Sequence, residues 1–158
     1  MDADLCDVLV IGAGITGLHQ LHSLLTAGFR SRLLKAGTGV GGTWYWNRYP
    51  GARFDSESSS YGYFFSPELR DEWNWSEEFA GQPETEHYLN LAADQLGLRP
   101  FIVLNSRVAS ATYLEDEAWW EVATTTGVAH SRTCAHPRPG STASPRSRPP
   151  CSARRSCR

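Results

Sequence analysis

Asp7-Val8-Leu9-Val10-Ile11-Gly12-Ala13-Gly14-Ile15-Thr16-Gly17 sets a short apolar run directly before three glycines spaced G-x-G-x-x-G. A continuous apolar run of this length suits a strand covered on both faces, as in a parallel sheet. Ile15, Leu18, Leu21 and Leu25 then recur at helical spacing, and Gly28 is placed to end the helix. A second strand is predicted over Ser31 to Lys35, which completes a β-α-β unit. In that setting Gly12 permits the tight turn, Gly14 lets backbone approach a pyrophosphate, and Gly17 lets the helix lie close on the sheet. The helix start offers free N–H groups and a partial positive charge, so the expected ligand is a dinucleotide. The acid that such sites place about 20 residues on, to accept from a ribose hydroxyl, is Lys35 here, and no Asp or Glu stands between Asp7 and Asp55. A lysine could pair with a phosphate, as an NADP-type site would want, but it cannot accept that hydrogen bond, and weaker binding is the expectation.

Outward from this unit, residues 36 to 67 are rich in Gly, Ser, Tyr and Trp without sustained period, and are read as a long irregular segment. Pro83 introduces a helix predicted through Glu84 to Leu96, ended by Gly97. Strands are expected over Phe101 to Asn105, Arg107 to Tyr113 and Trp119 to Thr125, the last two joined by the acidic turn Glu115 to Glu117. Trp73, Trp75, Trp119 and Trp120 are read as packing residues, and His19 and His22 as helix-surface residues.

The chain has 158 residues, the size of one ordinary domain, with 15 Lys and Arg against 17 Asp and Glu. That near balance hides two unlike parts. Residues 1–129 carry 8 basic and 17 acidic side chains, hence −9, while 130–158 carry 7 arginines and no acid. Every Trp, Tyr and Phe lies in the first part. The second has nothing larger than Ala or Cys to bury, so 130–158 is expected to be a disordered tail, with a boundary near His130. Its composition is that of GC-rich codons, which suggests an out-of-frame origin. The acidic start and the lack of a long apolar run point to a soluble, cytoplasmic protein with no membrane partner. Four cysteines without C-x-x-C spacing suggest neither a metal site nor a disulfide framework. A tail without aromatics for base stacking makes nucleic acid an unexpected partner, and leaves weak polyanion binding as a non-catalytic alternative.

Gly41-Gly42-Thr43-Trp44-Tyr45-Trp46-Asn47-Arg48-Tyr49-Pro50-Gly51-Ala52-Arg53-Phe54-Asp55 concentrates aromatics beside backbone-exposing glycines. Composition allows two readings, a lining for a large fused ring such as a flavin or an aromatic mini-core beneath a loop. This stretch closely resembles the Gly-Gly-x-Trp-Tyr-Trp-Asn-Arg-Tyr-Pro-Gly-x-Arg-Cys-Asp segment of Baeyer–Villiger flavin monooxygenases. The resemblance extends from Asp7 to about Gly127 and takes in Glu72-Trp73-Asn74-Trp75, Gln82-Pro83-Glu84, Tyr88-Leu89 and the Val108 strand.

The resemblance implies an α/β fold: an incomplete Rossmann-like FAD-binding domain with a β-α-β start, long aromatic loop, helix and antiparallel hairpin, ahead of the disordered tail that composition gives. In the family the next strand lies beside the first, so its replacement by that tail would leave Val8 to Ile11 as an uncovered edge. It implies a monooxygenase using FAD and NADPH to insert oxygen from O2 into a ketone. Carried over by position, Gly12, Gly14, Ile15 and Gly17 would hold the FAD pyrophosphate, and Lys35 stands where the family has its ribose-binding Glu. Thr43, Trp44, Tyr45 and Trp46 would line the flavin, with Asp55 and Tyr61 close by. Val108 would meet the adenine through its backbone, and Arg53, Phe54 and Asp55 would also meet the nicotinamide cofactor. Phe54 replaces the family's Cys. Asp55 is the candidate catalytic-site residue, setting the position of an arginine from a later part of the family chain. That arginine, the second glycine motif of the NADPH domain and the linker fingerprint are absent here, so the chain alone is expected to be inactive. Related N-hydroxylating or sulfide monooxygenases share the flavin grip and remain the alternative enzyme class.

Overall fold

A computed structural model describes residues 5–135. Strand β1 (Leu5–Ile11) leads into helix α1 (Ile15–Thr26), which returns the chain to strand β2 (Ser31–Leu34), parallel to β1 with Val10 opposite Leu33. Asp7 fixes the return by accepting from the Arg30 backbone N–H at 3.0 Å and pairing with its guanidinium at 3.1 Å. The predicted β-α-β unit is therefore present.

The irregular stretch that follows contains a single-turn helix α2 (Thr43–Trp46) and a short 3-10 turn at Ser58–Ser60. Helix α3 (Pro67–Glu72) was not apparent from periodicity because it has six residues; it starts because the Ser66 hydroxyl accepts from the Leu69 N–H and Pro67 occupies the first turn. Helix α4 (Gln82–Gln95) buries Thr85, Tyr88, Leu89, Ala92 and Ala93. After it come β3 (Ile102–Val103), β4 (Val108–Leu114), β5 (Trp119–Thr124) and β6 (Gly127–Ala135).

The six strands form one sheet in the order β3-β2-β1-β6-β5-β4. The β1 to β3 and β1 to β6 side is parallel; β4, β5 and β6 form an antiparallel meander. Val10 and Leu33 join α1, α4 and the aromatic segments in the main core. Leu9, Leu34, Cys6 and Val122 form a smaller cluster, with Val108 and Trp120 packed on it. No helix among the described residues is long and apolar enough to cross a membrane.

Strand β6 corrects the expectation that β1 is an uncovered edge. His130, Ser131, Thr133, Cys134 and Ala135 pair with Leu5 to Val10 on one side, and His130 and Ser131 pair with Glu121 and Trp120 on the other. The boundary placed at His130 thus falls inside a strand. The physical reason is that a central strand is held by backbone ladders to both neighbours, so small side chains such as the fully buried Ser131 suffice. The tail expected beyond Ala135 lies outside the described residues.

The two thiols that report on this pairing are Cys6 and Cys134. Burial raises both, Cys134 to about 11. Alkylation by iodoacetamide at pH 8, followed by mass spectrometry, should run about a hundredfold slower at Cys134 in the native chain than in guanidinium. Equal rates would mean that β6 does not lie against β1.

Candidate functional site

The glycine turn sits at the carboxyl end of β1, where open α/β sheets bind ligands. It is tied to β2 by the Gly12 N–H donating to the Leu34 carbonyl at 2.9 Å. A Cβ on Gly17 would fall 1.8 Å from the Gly12 oxygen, so only glycine lets α1 sit this near the turn. Gly14 is the N-cap of α1 and offers no side-chain cap, and the first turn holds no acid. The start of α1 therefore keeps its donors and positive end for an external anion.

The aromatic loop docks directly on this turn. Gly41 donates its N–H to the Ala13 carbonyl at 2.8 Å. Gly42, at φ +56°, lies so near that a Cβ there would be 2.6 Å from the Gly14 Cα. Helix α2 begins at the next residue. Two segments separated by almost thirty positions in sequence thus meet backbone to backbone.

From there the aromatic residues divide. Trp44, 9% exposed, donates its indole N–H to the Tyr61 hydroxyl at 2.8 Å and meets Phe54 edge-on at 5.7 Å. Phe54 stacks on Tyr61 at 4.7 Å and meets Trp75 edge-on. Trp73, Trp75 and Tyr88 continue this packing, as expected for the first two. Trp46, by contrast, is 54% exposed, and Tyr45 is half-buried with its hydroxyl bonded to Thr38 at 2.9 Å. Those hydrogen bonds from Thr38 hold the Tyr45 phenol below its usual range. Thr43 is exposed at the start of α2.

Lys35 follows β2 and is 4% exposed. Its ammonium lies 4.5 Å from the ring centres of both Tyr45 and Trp46. Burial draws it below the usual lysine range. Arg53 pairs with Glu77 at 2.9 Å and Arg48 with Glu86 at 2.5 Å, so neither arginine is engaged with Asp55, which is exposed. Val108 starts β4 and packs in the smaller cluster with Leu34, the residue before Lys35.

The structure therefore brings Gly12, Gly14, Ile15 and Gly17 together with Lys35 and Thr43 to Trp46. Phe54 and Tyr61 lie behind Trp44, and Arg53 and Asp55 on the surface beside them. Supporting residues carried no signal for this role in the sequence. The buried Gln82 donates to the Trp44 carbonyl at 2.5 Å and to Glu86 at 2.7 Å. Tyr63 donates its hydroxyl to the Ile15 carbonyl at 2.5 Å, and its own N–H is held by the Tyr88 hydroxyl at 2.6 Å. Burial pushes both phenols above their usual range. Apart from Gln82 to Glu86, these contacts span 25 to 48 residues and leave no local pattern to read.

Residues 10–72 match the model of the NAD(P)-binding Rossmann-like domain. The chain is 50% identical over 116 residues to 2-oxo-Delta(3)-4,5,5-trimethylcyclopentenylacetyl-CoA monooxygenase of Pseudomonas putida, covering 73% of this chain and 21% of that protein. It is 47% identical over 127 residues to the acetone monooxygenase (methyl acetate-forming) of Gordonia sp. (strain TY-5), covering 80% and 24%. The solved complex of OTEMO with FAD and NADP superposes with a TM-score of 0.79 at 45% identity, covering 84% of this chain and 25% of that one. The chain thus spans between a fifth and a quarter of the length of the relatives it matches.

The Gly14 to Gly42 contact can be tested directly. Gly42→Ala forces a side chain into backbone at a left-handed φ and should lower stability by about 1–3 kcal/mol, read from the urea midpoint. Trp44→Phe, which removes the donor to Tyr61 and shrinks a buried ring, should cost about 1–3 kcal/mol.

Proposed function

Because the chain is a relative of the Baeyer–Villiger flavin monooxygenases over most of its length, we propose that it is the FAD-holding portion of such an enzyme. The observation that carries this reading is the aromatic loop seated on the glycine turn, beside an α1 N-terminus that no side chain caps. The residues fit a dinucleotide pyrophosphate. A Cβ on Gly14 would meet only the Gly42 Cα at 3.4 Å, so glycine is not needed there for packing and leaves the backbone open to a phosphate. They depart from FAD at the ribose end, where Lys35 offers no acceptor.

The chemistry a bound FAD supplies is electron transfer from NADPH to O2, with one oxygen atom entering beside a ketone carbonyl. In this reading Gly12, Gly14, Ile15 and Gly17 present backbone to the pyrophosphate. Thr43, Tyr45 and Trp46 are the loop residues accessible to the ring system, and Trp44, Phe54 and Tyr61 brace them from beneath. Val108 is assigned to the adenine end, and Arg53 with Phe54 and Asp55 to the side nearest the nicotinamide cofactor. Asp55, exposed and without a pairing arginine among the described residues, is assigned to orient a cation supplied by the remainder of a longer enzyme. The ketone substrate and the use of NADPH belong to that longer protein, so the chain alone is inactive in this reading. A cytoplasmic location agrees with the free thiols of Cys6 and Cys134.

Titration of the full chain with FAD, followed by flavin fluorescence, should give saturable quenching. Gly14→Ala should leave the far-UV spectrum unchanged and weaken binding by about tenfold or more. Incubation with FAD, NADPH and a cyclic ketone should give no lactone. Absence of FAD uptake by the folded chain would overturn the assignment.

A further inference from the structure

We propose that Lys35 makes the ribose end of this site a receptor for a phosphorylated ribose, so that the site selects adenine dinucleotides bearing a ribose phosphate over those with free ribose hydroxyls. The proposal rests on the reading that the glycine turn holds a dinucleotide pyrophosphate, and it changes which dinucleotide is held best.

Lys35 is fixed at the edge of that turn by its backbone. The preceding Leu34 carbonyl accepts from Gly12 at 2.9 Å, the Lys35 N–H donates to the Val103 carbonyl at 2.9 Å, and its own carbonyl accepts from Ser106 at 2.8 Å. The side chain is almost wholly removed from water. Its ammonium touches the faces of Tyr45 and Trp46, each 4.5 Å away, and no carboxylate of the described residues forms an ion pair with it. Glu86 is the acid whose charge it feels, yet both Glu86 oxygens are engaged, one by Arg48 at 2.5 Å and the other by Gln82 at 2.7 Å. Arg107 follows Ser106, and its charge also reaches Lys35. The corner thus holds two cations where a free ribose would need an acceptor.

A largely buried ammonium held against two ring faces attracts anions strongly, since cation–π contact replaces only part of its lost hydration. A ribose hydroxyl cannot use it as an acceptor, because a lysine ammonium has three donors and no lone pair. A phosphate monoester, doubly charged and rich in acceptors, matches it, with exposed Arg107 available as a second contact.

NAD+ and NADP+ differ only by the ribose phosphate and are the probes. Calorimetric titration of the full chain should show NADP+ bound about tenfold or more tightly than NAD+. Lys35→Arg should keep the preference, Lys35→Met should abolish it, and Lys35→Glu should reverse it while tightening FAD. Far-UV spectra identify any variant that fails to fold, and the Arg and Met variants decide the matter if Glu does not. Inorganic phosphate that competes as well as NADP+ would show a bare anion site and overturn the proposal. An equal NADP+ to NAD+ ratio in the wild type and Lys35→Met would also overturn it, leaving dinucleotide binding intact. Failure of every folded variant to bind any of the three dinucleotides would overturn the pyrophosphate reading with it.

Discussion

The close approach of Gly14 and Gly42 is the constraint on which the rest of the site depends. Two backbones can come this near only where Gly42 carries no side chain directed at its neighbour. A Cβ on Gly42 would stand 2.6 Å from the Gly14 Cα, inside any permitted contact. The helix beneath is held to the same standard at Gly17, whose place against the Gly12 oxygen excludes a methyl group. The turn, helix and loop therefore behave as one unit. Displacing any of them moves the N-terminus of α1 relative to α2, and with it the relation between a phosphate and an aromatic surface.

Such a loop needs support of its own, because a long segment with little regular structure leaves backbone groups to satisfy. Side chains supply much of it. Gln82 holds the Trp44 carbonyl, Tyr63 holds the Ile15 carbonyl, and Ser58 reaches both the Glu77 carbonyl and the Ala80 N–H at 2.7 and 2.9 Å. Beneath them the stack of Trp44, Phe54, Tyr61 and Trp75 buries large areas for few rotatable bonds. Phe54, where the family has cysteine, is accommodated by this stack, since its 17° tilt to Tyr61 fills the space as an aromatic neighbour.

The β-α-β unit was legible because its signals are local: a buried strand, a helical period, and glycines at fixed offsets. The acidic hairpin between β4 and β5 was legible for the same reason. Helix α3 was not, since six residues carry less than two turns of period and its start depends on a single serine cap. Strand β6 was missed for a different cause. Reading composition weighs side chains, whereas this strand is secured by hydrogen bonds to β1 and β5 that belong to partners more than a hundred residues away on one side. Within the site, the glycines and the missing ribose acid could be read from spacing. The placement of Lys35 against both rings could not, because it needs α2 folded back over the end of β2.

Of the two readings that composition left open for the aromatic loop, the mini-core describes Trp44, and the accessible residues that a ring lining would need are its neighbours in the same four-residue helix. In α2, Trp44 faces inward while Tyr45 and Trp46 remain accessible on the outside. One turn of helix is enough to separate these roles, since adjacent positions point about a quarter-turn or more apart. The outer pair then has a second neighbour in Lys35, whose ammonium both rings attract. The attraction between ammonium and rings thus ties the outer face of α2 to the end of β2.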